Sequence, residues 1–128
     1  MAILGVNIRG DRVMASFQVF PFTIPHKPRI RIRDKTAIIC KQDNLPTIVN
    51  IHVEYVPGEY IAELDSLHKF FAVLARKTSY LLEEYAFNIY KEMLSRLMPL
   101  ELEVEVCGTG VGHGEACIEY SWKYGKEN

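Results

Sequence analysis

The sequence predicts a mixed α+β fold in which residues 29–128 run strand, strand, helix, helix, strand, strand. Three patterns carry this expectation. Arg29, Arg31 and Arg33 alternate with Ile30 and Ile32, and Val49, Ile51, Val53 and Tyr55 alternate with Asn50, His52 and Glu54. Leu81, Tyr85, Ile89, Met93 and Leu97 recur four residues apart. Leu100, Leu102, Val104 and Val106 alternate with Glu101, Glu103 and Glu105. Successive residues of a strand face opposite sides, whereas residues four apart on a helix share one side. The first and third patterns are therefore half-buried strands, and the second is an amphipathic helix.

Taken in order, residues 1–28 form an N-terminal extension. Within it Val13–Phe20 can supply one extra strand, before Pro21, Pro25 and Pro28 impose an extended connection. The first strand of the domain starts at Arg29 and resumes through Ala37, Ile38 and Ile39 to Cys40. Gln42 to Pro46 is polar and ends in proline, which predicts a turn. The second strand covers Val49–Tyr55, and Pro57-Gly58 ends it. Ile61, Leu64, Leu67, Phe71 and Leu74 step by three and four and predict the first helix. The second helix has Thr78 or Ser79 available as an N-cap. Glu83 and Glu84 then fall in its first turn, where carboxylates favour the positive end of the helix dipole. Pro99 ends it. After the third strand, Gly108, Gly110, Gly112 and Gly114 predict a flexible connection. In the last strand Ala116, Ile118, Tyr120, Trp122 and Tyr124 share one face, and the tail from Lys126 is expected to fray.

A chain of 128 residues, 48% of them apolar, is long enough for one domain with one core. The formal net charge of −1 excludes a globally basic nucleic-acid binder, so such a role needs a local patch. No apolar run approaches the ~20 residues of a membrane span, and the N-terminus lacks the pattern of a signal peptide. Cys40, Cys107 and Cys117 are an odd number and widely spaced, with no CxxC pair. They predict free thiols in a reducing, cytoplasmic setting.

Two hairpins flanking a helix pair make a four-stranded antiparallel sheet with both helices on one face. Such a sheet has a bare second face and two open edges, which pairing or closure must satisfy. An oligomeric barrel is the expectation. This order of elements is that of the tunnelling fold (T-fold), an analogy that concerns architecture and not chemistry.

Several residues could carry chemistry. Cys40 ends a strand and opens a polar loop. It is either a nucleophile, activated by a positive neighbour such as Lys41 with Asp43 moving a proton, or a small apolar residue at a strand end. Glu83 is either a partner of the helix dipole or a carboxylate that accepts two N–H bonds from a planar heterocycle. The stretch GTGVGHG lacks the ending of a phosphate loop and precedes a strand where a dinucleotide fingerprint needs a helix. It is thus a connection, with His113 an exposed loop residue. His52 and His68 with Glu54 and Glu63 have no metal-ligand spacing, so no metal is expected. Arg29, Arg31 and Arg33 lie on one strand face. They form either a solvated surface or a strip that contacts nucleic-acid phosphates.

From Cys40 onward the chain resembles the 7-cyano-7-deazaguanine (preQ0) nitrile reductase family, which includes QueF-like relatives that form archaeosine in tRNA. The likeness rests on IICKQDNLPTIVNIHVEYVP, GEYIAELDSLHKFF and ARKTSYLLEEYAFNIYKEML. It implies that Cys40 is the nucleophile that attacks the nitrile to give a covalent thioimide. It implies that Glu83 holds the edge of the deazaguanine. Four positions depart from the reductase pattern. The family's catalytic aspartate falls on Thr47, which cannot act as a carboxylate acid or base, so Asp43 or water would have to move the proton. The histidine before the glutamate falls on Leu82. The two lysines linked to NADPH fall on Asp65 and His68, and a negative Asp65 repels a phosphate. The resemblance therefore favours the archaeosine-forming branch, with no cofactor, a 7-deazaguanine-type base carried in tRNA as partner, and a homo-oligomer. Reduction by NADPH is disfavoured. The alternative is a non-catalytic T-fold oligomer that binds a purine-like or pterin-like ligand through Glu83. A third is a subunit that only assembles.

Overall fold

The computed structural model describes residues 4–6, 13–110 and 114–125. Its elements in chain order are β1 (Leu4–Val6), β2 (Val13–Ala15), β3 (Val19–Pro21), β4 (Ile30–Cys40), β5 (Pro46–Val56), β6 (Tyr60–Ala62), α1 (Leu64–Lys77), β7 (Ser79–Tyr80), α2 (Leu82–Leu97), β8 (Glu101–Gly110) and β9 (Glu115–Lys123). The main sheet has the order β7-β4-β5-β8-β9. Its four long strands are antiparallel neighbours, as the alternating patterns require. Both helices cover one face. There Val49, Ile51, Val53, Tyr55, Leu102, Val104 and Val106 are buried against Phe70, Phe71, Tyr85, Ile89 and Met93. The other face carries exposed Arg31, Arg33, His52 and Glu103.

The helix ends have identifiable causes. Glu63 caps α1, its carboxylate accepting from the Ser66 and Asp65 N–H groups at 2.8 and 3.0 Å. At the start of α2 the Leu81 N–H donates to Glu84 Oε1 at 2.9 Å, which satisfies one orphan donor. α2 stops at Met98, which adopts a left-handed conformation (φ 45°). Gly58 lies against this cap. A Cβ there would stand 2.7 Å from the Met98 carbonyl oxygen, so only glycine allows the approach.

The structure departs from expectation at several points. β4 is one continuous strand and does not break near Asp34–Lys35. Ile61, with helical spacing, lies in β6 paired with β3, and α1 starts only at Leu64. Thr78 and Ser79 do not cap α2. Thr78 is the C-cap of α1, and Ser79-Tyr80 form β7, which pairs in parallel with Ile39-Cys40. The main sheet is thereby five-stranded. β8 continues through Gly108 to Gly110 where a flexible connection was expected. In the extension, β2 and β3 replace the single strand, separated by a fully buried Phe17. The carbonyl of Phe17 accepts from the Arg96 guanidinium at 2.9 and 3.2 Å.

The expectation of three free thiols is corrected. Cys107 and Cys117 stand opposite each other in the β8–β9 ladder and are joined by a disulfide, which leaves Cys40 as the free cysteine. Spacing along the chain could not reveal this, because the register that apposes them is a property of the hairpin. Gly112, His113 and the tail from Lys126 lie outside the described residues.

Candidate functional site

Cys40 is the last residue of β4 and, by strand alternation, points to the same side as buried Ile38. A tight turn follows. Asn44 donates its N–H to the Cys40 carbonyl at 2.8 Å, and Cys40 donates to the Leu45 carbonyl at 2.9 Å. Asn44 takes the left-handed conformation (φ 62°) that asparagine tolerates. Asp43 belongs to this turn, its Oδ1 accepting from the Leu45 N–H at 3.0 Å. On the other side the Lys41 N–H donates to the Tyr80 carbonyl at 2.9 Å, which extends the β4–β7 pairing. The Lys41 ammonium lies 2.8 Å from the Glu84 carboxylate. That bond, together with the Leu81 N–H, holds the Glu84 carboxyl below the usual glutamate range. Main chain and ion pair thus tie the Cys40 turn to the start of α2.

Between these two elements lies a cleft of about 340 Å³. Cys40, Gln42 and Thr47 line it from the β4–β5 hairpin, Tyr80, Leu82 and Glu83 from the helix side, and Gly108, Gly110, Gly114 and Ala116 from β8 and the start of β9. Cys40 and Glu83 therefore meet in one cleft within a single chain. Cys40 is half-buried and Glu83 exposed, so a bound molecule could reach a sulfur on one side and a carboxylate on the other. Asp43 is in the adjoining turn and is not among the lining residues. Gly108 sets the width of the cleft, because a Cβ there would lie 3.1 Å from Leu82 Cδ1 and 3.2 Å from Thr47 Cγ2. Tyr80 is structural, its hydroxyl donating to the Leu74 carbonyl at 2.5 Å. Burial, with Glu84 nearby, pushes its pKa up to about 12, so it stays a neutral donor.

The basic strip is largely paired. Arg29 bonds Glu54 at 3.1 Å and Glu101 at 2.8 Å, and Arg31 bonds Glu54 at 3.1 Å. Arg33 stands opposite His52 in the ladder. The Glu101 bond is the main reason the Arg29 pKa is raised further. His68 contacts Asp34 at 2.6 Å, and Glu63 is spent on its cap. Among the described residues, Glu105, Cys107 and Cys117 converge closely enough to suggest metal ligands, but the two sulfurs are joined to each other. Gln42, Tyr80, Gly108, Gly110, Gly114 and Ala116 were not identified as lining residues in the sequence. A glycine inside a strand pattern, which marks close approach of another element, was the available signal for Gly108.

No family model matches the chain, and no curated protein matches it by sequence. A solved structure, that of the archaeosine synthase QueF-Like in the apo form, is similar in fold. The TM-score is 0.68 at 18% identity, over 77% of this chain and 96% of that one. Identity this low supports a shared architecture and not a shared activity. No helix among the described residues is long and apolar enough to cross a membrane.

Proposed function

We propose that the chain is a QueF-like tRNA-modification protein that converts the nitrile of a 7-cyano-7-deazaguanine base to an amidine through a Cys40 thioimide. The observation that carries this is the meeting of Cys40 and Glu83 in one cleft of one chain. Glu83 accepts the N–H edge of the base, a geometry that suits a carboxylate. The Cys40 thiolate adds to the nitrile carbon, forming a C–S bond while the nitrile nitrogen takes a proton. Ammonia then attacks the thioimide carbon, the C–S bond breaks, the thiolate leaves and the amidine remains as its amidinium, which keeps the third ammonia proton. No electrons are exchanged, so the reaction needs no NADPH. Asp43, the carboxylate nearest Cys40 along the chain, is assigned the proton transfer that Thr47 cannot perform.

The test is an intact-mass measurement after incubation with 7-cyano-7-deazaguanine. The expected result is a mass increase equal to the ligand, abolished in Cys40→Ala. No adduct at any pH from about 5 to 8 would remove the mechanism, since the addition requires the Cys40 sulfur as nucleophile.

A specific observation also favours the binding-only alternative. Thr47 and Leu82 both line the cleft and neither can transfer a proton as a carboxylate or imidazole does. A non-catalytic purine- or pterin-like ligand site would give reversible calorimetric binding that survives Cys40→Ala and is lost in Glu83→Gln.

The partners are proposals too. A homo-oligomer is supported by two open edges among the described residues. β9 ends the sheet, and β7 covers β4 only at Ile39-Cys40. Pairing β4 with β4 would set Arg33 and Lys35 against like charges, and pairing β9 with β9 would do the same to Glu115 and Glu119. Joining β4 to β9 sets opposite charges together. Sedimentation of Arg33→Glu should show dissociation that Glu119→Lys on a second copy reverses. Binding of tRNA through Arg29, Arg31 and Arg33 should fall steeply with salt. A flat salt response would remove that partner.

A further inference from the structure

We propose that Cys107–Cys117 is a reducible cystine, a site of thiol–disulfide exchange with a dithiol reductant, and that its state sets how firmly the β9 side of the cleft is held. The sulfurs lie on the face that the helices leave uncovered, where Cys117 is exposed and Cys107 half-buried. A thiolate can therefore approach Cys117 from solvent. Neither cysteine belongs to the hydrophobic core, which closes without them. The bond is not needed to pair the strands either, because the ladder runs from Glu101↔Lys123 to Thr109↔Glu115. Its effect is local and falls at one end.

That end is a wall of the cleft. Beyond Cys107↔Cys117 only Gly108↔Ala116 and Thr109↔Glu115 remain in the ladder. Gly108 and Gly110 are also held from the other side by Val49 and Thr47 of β5. Within one chain the start of β9 has no such second neighbour, since β9 is the edge strand. Gly114 and Ala116 line the cleft, and the disulfide at Cys117 is their nearest covalent anchor to β8. Opening it loosens residues 114–117 and leaves Gly108 and Gly110 in place. Cys40 is not the exchange partner within one chain, because it faces the helix side of the sheet. The reductant must be external. It attacks the Cys117 sulfur, the 107–117 bond breaks, and a mixed disulfide forms. The reductant's second thiol resolves this to a cyclic disulfide. Two electrons and two protons pass to the cysteines.

The influence on ligand rests on the function proposed above; the cystine chemistry does not. The test treats the folded protein with ~1 mM dithiothreitol, without denaturant, and traps thiols with iodoacetamide. Labels per chain should rise from one (Cys40) to three. Amide exchange at Ala116, whose N–H points to Gly108 in the ladder, should quicken about tenfold while β5 and α2 stay protected. Cys107→Ser/Cys117→Ser should exchange like the reduced parent and ignore the reductant. A label count that rises only on unfolding would overturn the proposal, as would three labels with unchanged exchange at Ala116. Failure of 7-cyano-7-deazaguanine to bind either state would overturn the proposed function and leave the label and exchange results standing.

Discussion

Replacing Gly108 with alanine tests whether the floor of the cleft is as closely fitted as its distances imply. The new methyl would sit 3.1 and 3.3 Å from the two Leu82 methyls and 3.2 Å from Thr47 Cγ2. Carbon–carbon contacts are most favourable at about 3.5–4.0 Å, so each neighbour must yield by a few tenths of an ångström. The atoms in the way are side-chain ends and not backbone, which keeps the cost moderate. Overpacking costs about 1–3 kcal/mol, and removing the unfolded-state freedom of glycine returns about 0.4–1 kcal/mol. The net expectation is a destabilisation of roughly 1–2 kcal/mol, or several degrees in Tm for a domain of this size. Leu82 and Thr47 both line the cleft, so their displacement should also weaken binding of 7-cyano-7-deazaguanine. Gly114→Ala is the control for stability, because nothing lies within 4 Å of its Cβ position, though the residue itself lines the cleft. Thermal melts and calorimetric titrations of both variants decide the matter. A Gly108→Ala protein at least as stable as the parent, with unchanged binding, would refute the close fit.

Other expectations follow from single contacts. Gly58→Ala pushes a methyl to 2.7 Å from the Met98 carbonyl, a backbone atom that cannot swing aside, so denaturant melts should show a loss of about 2 kcal/mol or more. Tyr85 is fully buried and its hydroxyl donates to the Phe71 carbonyl at 2.7 Å. Tyr85→Phe removes that bond while the Phe71 carbonyl keeps its helical donor within α1, and should cost about 0.5–1.5 kcal/mol in the same assay. The Lys41–Glu84 bond makes the site acid-sensitive in a defined direction. The Glu84 pKa is lowered on folding, so the stabilisation is complete above the unfolded glutamate value and fades as pH falls through the lower folded one. In an NMR titration the Glu84 midpoint should lie below that of an ordinary glutamate and rise in Lys41→Met; equal midpoints would deny the bond its role.

The long elements were legible because each repeats its pattern many times. Ile51, Val53 and Tyr55 are buried on one side of β5, and Tyr85, Ile89, Met93 and Leu97 on one side of α2, as their spacing required. What escaped is short or relational. Two residues cannot display a period, so Ser79-Tyr80 resembled a cap and not a strand. Ile61 has helical spacing by coincidence, and pairing with β3 decides its conformation. Gly108 and Gly110 resembled a loop because glycine is rare in strands, whereas here the missing side chain admits Leu82. Cys40 and Glu83 were candidates by position, and the resemblance gave each its role. That they share a cleft with Gln42, Thr47 and Leu82 follows from packing, which no local pattern encodes.

The short parallel strand β7 has a practical meaning for anyone editing the site. The relative placement of residue 40 and the head of α2 is fixed by amide-to-carbonyl bonds, namely the Ile39–Cys40 pairing with Ser79–Tyr80 and the Lys41 N–H on the Tyr80 carbonyl. Such bonds are indifferent to which side chains hang from the frame. Cys40→Ala and Glu83→Gln therefore change the reactive groups while the scaffold that presents them keeps its dimensions. A lost adduct in either variant can be charged to chemistry, and new side chains can be tried at both positions on an unchanged mount.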